Sequence, residues 1–347
     1  MDIKLKEMGE SFYNPFLAPL VKELAEAGHA VEDQGAMCIF VGKKKGPPLM
    51  IQKSDGGFGY ATTDLAALRY RVNELKAERI VYVTDVGQEL HFKQVFEAGE
   101  KCGIYDPKKT QLNHMMFGMV LQETVTVDEN GKEVRKQEKI KTRAGKTVKL
   151  IDLLDEARDR ALQTFQERIK NQQENESGTV KVQIESEEDM LSAAEVLGIS
   201  SIKYYDLKQN RTQNYCFDFD KMLDPKGNTG VYLIYAYVRI KSILRKAGFD
   251  ESMNELHKFN VSNEWERALA MTILRLPEAL EAAAKELMVN RLTDYLYDIS
   301  NKTNDFYNNS KVIGSDEQNS RLALLCATTK VMKLCFDLLG MKTIERI

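Results

Sequence analysis

The sequence predicts an α/β part followed by an all-α part. Three observations lead there. Over residues 1–120, short β-branched apolar runs alternate with helical patterns. Beyond residue 190 no run carries a strand signal of any length, and helical periodicity dominates. Between the two lies a polar stretch, residues 171–189, rich in Gln, Glu and Ser, that reads as a surface insertion or a domain linker.

Along the chain, helical patterns cover residues 14–27, 62–76 and 88–102, and strands are predicted at 36–41, 49–53, 79–84 and 114–121. Strand–helix–strand alternation with short connections points to a mostly parallel, doubly wound sheet. Ligands of such sheets sit at the carboxyl ends of the strands. A site is therefore expected at the loops 54–60 and 85–88 and in the segment after Leu121. Residues 131–149 then carry eight basic side chains against two acidic ones, and Thr142, Ala144 and Gly145 suit a mobile loop. A long helix is predicted over 148–170. In the last part, Leu322, Leu325, Thr329, Met332, Phe336 and Leu339 lay one mostly apolar stripe on a helix. Similar stripes run through 265–284 and 292–307, which together predict a helical bundle.

Composition bounds the function. The 347 residues have room for two or three domains. Lys plus Arg number 49 against 52 Asp plus Glu, a net charge of −3. That excludes a protein that coats nucleic acid by overall charge, though not a local basic patch. No apolar run approaches the ~18 residues of a membrane span, and residues 1–7 show no apolar secretory core. The five cysteines, Cys38, Cys102, Cys216, Cys326 and Cys335, include no C-x-x-C pair. They read as reduced thiols of a cytosolic protein with no zinc site.

The common nucleotide fingerprints fail. Gly145-Lys146-Thr147 lacks the first glycine of a P-loop, since Ile140 holds that position, and Gly57-Phe58-Gly59 runs on into Tyr60-Ala61-Thr62. Tyr60 and Asp64 stand one helical turn apart behind a glycine-rich turn. A phenol and a carboxylate so displayed could hold a cationic ligand. On composition alone, the acidic start of a helix that suits its dipole is the commoner reading of such a pair. Gln88 and His91 follow the third predicted strand, where a lone histidine reads as packing. The basic segment 139–145 reads as a solvated loop or as a cationic arm that stabilises charge on transferring phosphates; its place after a strand favours the second. Tyr232, Tyr235, Tyr237 and Arg239 share one predicted helix, and Tyr295, Tyr297, Phe306 and Tyr307 another. Most read as core, although interleaved Tyr and Arg also stack on single-stranded bases.

Ordered along the whole chain, these segments resemble the arginyl-tRNA synthetases. The carrying stretches are Met8-Gly9-Glu10-Ser11-Phe12-Tyr13, Lys53 to Gly57 continuing through Tyr60 to Ala66, and Gly87-Gln88-Glu89-Leu90-His91-Phe92. Then come His114 through Phe117-Gly118-Met119-Val120, Lys141-Thr142-Arg143-Ala144-Gly145, and Val148 to Ala157. The match continues through Ile202-Lys203-Tyr204, Leu207-Lys208-Gln209-Asn210-Arg211, Gly227-Asn228-Thr229, Leu276-Pro277-Glu278 and Leu338-Leu339-Gly340.

The resemblance implies the C-terminal half of a Rossmann-like class I synthetase catalytic domain over 1–170, with its KMSKS-like loop at 139–145. The polar insertion or linker at 171–189 and a helical anticodon-binding domain over 190–347 would follow. It implies an ATP-dependent arginine–tRNA ligase of the cytoplasm. Its substrates would be arginine, ATP with Mg2+ and tRNA-Arg, with no prosthetic group, metal site or membrane partner. Glu10, Tyr60, Asp64 and Gln88 would form the amino-acid pocket, in keeping with a guanidinium's preference for forked carboxylates. His114, Phe117, Gly118 and Met119 would lie beside the adenine, and Lys141 and Arg143 would steady the ATP phosphates. Tyr307, with Tyr235 and Arg239, would contact anticodon bases.

The departures carry their own expectations. The class has an H-x-G-H signature in the first half of its nucleotide-binding fold, and no two histidines here are three apart. That half, with the family's extra N-terminal domain, is expected upstream of Met1. The explanations, in order, are a longer native protein, one piece of a split synthetase completed by a separate N-terminal half, and a non-catalytic relative that keeps tRNA binding. Each missing signature donor would cost on the order of ~10²-fold in rate. Residues 122–138 are longer than the usual connection before the KMSKS-like loop.

Overall fold

The computed structural model describes residues 4–42, 46–128, 131–139, 149–174, 186–249 and 260–346. The chain divides into two compact units, Met1–Gly118 and Met119–Ile347.

In the first unit a short 3-10 turn at Glu10–Tyr13 leads into α1 (Asn14–Glu26). Pro15 suits its first turn, where a missing N–H is no loss, and Leu17, Leu20, Val21 and Leu24 form its buried face. β1 (Val31–Asp33), β2 (Ala36–Ile39) and β3 (Leu49–Gln52) then pair as an antiparallel meander in the order β1-β2-β3. The parallel sheet expected for these runs is not formed, for a local reason. Gln34 and Gly35, at φ 52° and 79°, make the two-residue turn that joins antiparallel strands. Residues 40–48 are too few for the crossover of a dozen or so residues that parallel strands need.

The expected parallel arrangement does hold further on. α2 (Tyr60–Asn73) precedes β4 (Arg79–Asp85), α3 (Glu89–Lys101) and β5 (Gln111–Phe117), and β4 and β5 run parallel with Arg79 opposite Gln111 and Asp85 opposite Phe117. β4 buries Ile80 and Tyr82 and leaves Val81 and Val83 exposed. α2 and α3 approach closely at Gly99, where a Cβ would lie 2.7 Å from Leu68 Cδ2. Leu20, Ile39, Ile51, Leu65, Leu68, Val95 and Ala98 make the core of this unit, each at most 1% exposed. The larger of these side chains each contribute about 1.5–3 kcal/mol by burial.

The second unit opens with an antiparallel hairpin of β6 (Val120–Val127) and β7 (Glu133–Lys139), in register from Leu121–Lys139 to Val127–Glu133. The strand expected at 114–121 is thus split between β5 and β6, and Glu133–Lys139 of the basic segment 131–149 is strand. β7 is polar on both faces and carries no apolar period; cross-strand bonds such as Thr124 Oγ1 to Glu138 Oε1 at 3.0 Å hold it instead. α4 (Leu150–Glu174) packs on α5 (Glu187–Leu207) at Gly198. β8 (Tyr215–Cys216) pairs in parallel with β6, a strand too short to show in a sequence pattern. The bundle is completed by α6 (Phe219–Met222), α7 (Gly230–Lys246), α8 (Glu264–Leu274), α9 (Leu276–Glu286), α10 (Asn290–Asn309) and α11 (Gln318–Leu338). The expected stripe Leu322, Leu325, Thr329, Met332, Phe336 and Leu339 is buried, each at 5% exposure or less. Among the described residues no helix is long and apolar enough to cross a membrane.

Candidate functional site

The first unit places its candidates around the start of α2 and the β4–α3 junction. Gly59, in extended conformation, ends the glycine-rich turn, and the buried Thr62 hydroxyl donates to the Ile51 carbonyl, fixing the start of α2 to β3. Tyr60 opens α2 and is 72% exposed. One turn on, Asp64 Oδ2 lies 2.6 Å from His91 Nε2 of α3, and both side chains are 27% exposed. The His91 ring meets Phe92 edge-on at 5.1 Å, and Phe92 in turn lies 4.9 Å from the rings of both Tyr82 and His114.

Gln88 ends a 3-10 turn, Val86–Gln88, between β4 and α3. Its Nε2 donates to Asp85 Oδ2 at 2.6 Å, while the Gly87 N–H donates to Asp85 Oδ1 at 2.9 Å. The Gln88 amide first, then the Gly87 N–H, hold the Asp85 carboxyl below its ordinary range against a smaller opposing effect of burial. Glu10 is exposed on the turn that packs against α2. The segments of all four expected pocket residues therefore meet on or beside α2 and α3, but none of the four bonds to another; Asp64 is joined to His91 and Gln88 to Asp85.

Of the four residues expected at the adenine, His114 sits on β5 with Nε2 2.8 Å from Thr84 Oγ1, and Phe117 ends that strand, 44% exposed. Gly118 closes the first unit. Met119 belongs to the second, where its N–H donates to Asn214 Oδ1 at 2.7 Å and its carbonyl accepts the Tyr215 N–H at 3.2 Å. Lys141 and Arg143 lie outside the described residues.

In the second unit Arg239 of α7 lies over the ring of Tyr307 of α10, 5.2 Å from its centroid. Arg239 also donates to Asn304 Oδ1 at 2.6 Å, Asn304 Nδ2 donates to the Tyr232 hydroxyl at 2.7 Å, and that hydroxyl donates to Asn301 Oδ1 at 2.6 Å. Tyr307 is 45% exposed at the end of this chain of bonds. Tyr235 is half-buried against the core, and Tyr295 and Phe306 are within it.

Three partners escape a reading of single elements: His91 for Asp64, Asp85 for Gln88, and Asn304 for Arg239. The first and third are made between helices, where no local period exists to reveal them. The second lay in the loop 85–88 already marked by its place after a strand.

Residues 1–219 match the family model described as tRNA synthetases class I (R), catalytic domain, and residues 233–347 match the DALR anticodon binding domain. The arginine–tRNA ligase of a Synechococcus species is 44% identical over 354 residues, and that of Rippkaea orientalis 44% over 355. Each match covers all of this chain and 57% of the relative, so the chain spans little more than half the length of these proteins. The structure of arginyl-tRNA synthetase from Plasmodium falciparum superimposes with a TM-score of 0.82 at 36% identity, covering 100% of this chain and 55% of that one. That of the Thermus thermophilus enzyme shares the fold, with a TM-score of 0.74 at 22% identity, over 96% of this chain and 59% of the other.

Proposed function

We propose a function from one premise: the chain belongs to the class I tRNA synthetases (R). Its function is that of an arginine–tRNA ligase, of which it forms the C-terminal portion, activating arginine with ATP and esterifying it to tRNA-Arg in the cytoplasm. One observation carries the reading. His91 occupies Asp64 Oδ2 and Asp85 engages the Gln88 amide nitrogen, which leaves Asp64 Oδ1 and Gln88 Oε1 as acceptors. A guanidinium has five N–H donors and no acceptor, so acceptors alone, one of them charged, are what it needs. Glu10 and the exposed ring of Tyr60 complete the arginine pocket. His114, Phe117, Gly118 and Met119 serve the adenine, and Lys141 and Arg143 the phosphates with their Mg2+. Tyr307, with Arg239 and Tyr235, serves the anticodon.

The readings to be separated from it are one piece of a split synthetase and a relative that binds tRNA without catalysis. The test is charging of total tRNA with labelled arginine, ATP and Mg2+, by the chain alone and with the N-terminal segment of a longer relative added. Arginyl-tRNA in either reaction, abolished by Asp64→Ala while tRNA binding persists, supports the ligase. No product in either, with tRNA still bound, supports the non-catalytic relative.

A further inference from the structure

We infer that His91 is a positioning residue for amino-acid recognition: it fixes the Asp64 carboxylate in the one orientation that offers Oδ1 to a bound guanidinium. The inference rests on the reading of Asp64 as part of the arginine pocket and adds a residue to it.

Asp64 projects from α2 and His91 from α3, and their 2.6 Å hydrogen bond crosses between the helices. A carboxylate 27% exposed, with no other side-chain hydrogen bond among the described residues, would otherwise exchange between rotamers in solvent. His91 is itself held. Its ring is wedged edge-on against Phe92 at 5.1 Å with an interplanar angle of 79°, and Phe92 is 4% exposed among Tyr82, Phe96 and His114. The helices cannot slide apart cheaply, because Gly99 of α3 faces Leu68 of α2, both in the core. The Asp64–His91 pair thus transmits the rigidity of the core to a carboxylate at the surface, and a preorganised acceptor binds its ligand without the loss of ordering it first. Gln88, fixed by Asp85 at 2.6 Å, is built on the same plan.

Two substitutions separate this role from packing. His91→Phe keeps the ring against Phe92 and removes the N–H. His91→Gln removes the ring and keeps an amide N–H at similar reach. Arginine binding by the chain is measured by equilibrium dialysis with labelled arginine, for the wild type, both variants, Asp64→Asn and the double variant Asp64→Asn/His91→Phe. The expected result is affinity weakened about tenfold or more by His91→Phe, restored in large part by His91→Gln, and no further loss from His91→Phe once Asp64 is Asn. Loss in the Gln variant with full binding in the Phe variant would mean that His91 only packs. Weakening by Asp64→Asn without weakening by His91→Phe would overturn the positioning role alone. Arginine binding indifferent to Asp64→Asn, or absent from the wild type, would overturn the reading of the pocket and this inference with it. Thermal melting of each variant shows whether it is folded, and loss of fold in both His91 variants with intact arginine binding by Asp64→Asn would also overturn it.

Discussion

Arg239 and Tyr307 form a cation–π pair across α7 and α10, with the guanidinium carbon 5.2 Å from the ring centroid and the same guanidinium bonded to Asn304 at 2.6 Å. Arg239 is half-buried, while Tyr307 is 45% exposed. The pair therefore sets an exposed aromatic ring in a fixed orientation, which is what stacking on an unpaired base requires.

Tyr307→Ala is expected to weaken binding of tRNA-Arg by about 1–3 kcal/mol, the cost of one lost base stack. Asn304→Ala, which frees Arg239 but keeps the ring, should weaken it less. Filter binding at one fixed salt concentration measures both, and thermal melting should show Tyr307→Ala as stable as the wild type because little of that ring is in the core.

Glu266 and Arg321 make the most buried ion pair described. Glu266 is 2% exposed and accepts Arg321 Nε at 2.7 Å and the Ser262 N–H at 2.7 Å. Burial pushes its carboxyl up, but the Ser262 N–H and the Arg321 guanidinium outweigh this and hold it below its ordinary value of 4.5. A depressed folded-state value contributes stability in full above that ordinary value, and the contribution is lost as pH falls through it toward the folded-state value. Arg321→Met strands the buried carboxylate and should cost about 3–5 kcal/mol at neutral pH by urea unfolding. Glu266→Gln should flatten the fall in stability of the wild type between neutral and acid pH.

How much of this was legible beforehand depends on whether one element or two carries the signal. The α11 stripe from Leu322 to Leu339 was legible because a single helix repeats its apolar face. Tyr60 and Asp64 could be placed one turn apart for the same reason. Their chemistry stayed ambiguous, since a first-turn acid and a binding carboxylate look alike until His91 is seen beside it. That pairing depends on the approach of α2 and α3 at Gly99 and Leu68, a distance between elements that no periodicity encodes. β7 escaped because it is polar on both faces, and the β1–β2 turn because Gln34-Gly35 is a weaker hairpin signal than Asn-Gly.

Gly198→Ala is expected to destabilise the second unit by about 1–3 kcal/mol. The added Cβ would lie 2.7 Å from the Ala157 carbonyl carbon and 2.8 Å from the Ala157 oxygen and the Arg158 nitrogen, all of them backbone. A helix backbone cannot rotate aside as a side chain can, so α4 must move from α5. Urea unfolding of the variant measures the loss.

The thiols should react in order of exposure. Cys38, Cys326 and Cys335 are buried, and burial pushes the Cys335 thiol up to about 12. Thiolate is the reactive form, so a disulfide reagent at neutral pH should modify these three only on unfolding. Cys216, partly exposed, is expected to react while the chain is folded. Absorbance of the released thiol with and without denaturant, and peptide mapping, give the order.

The most direct test of the account is binding of arginine against citrulline, which replaces the guanidinium with a neutral urea group of nearly the same shape. If Asp64 Oδ1 and Gln88 Oε1 are the recognising acceptors, the chain binds arginine saturably. Citrulline should then bind at least about 100-fold more weakly, because it leaves a charge unpaired and brings an acceptor against acceptors. Asp64→Asn should bring the two affinities together. Equal binding of arginine and citrulline by the wild type, or a preference untouched by Asp64→Asn, would contradict it.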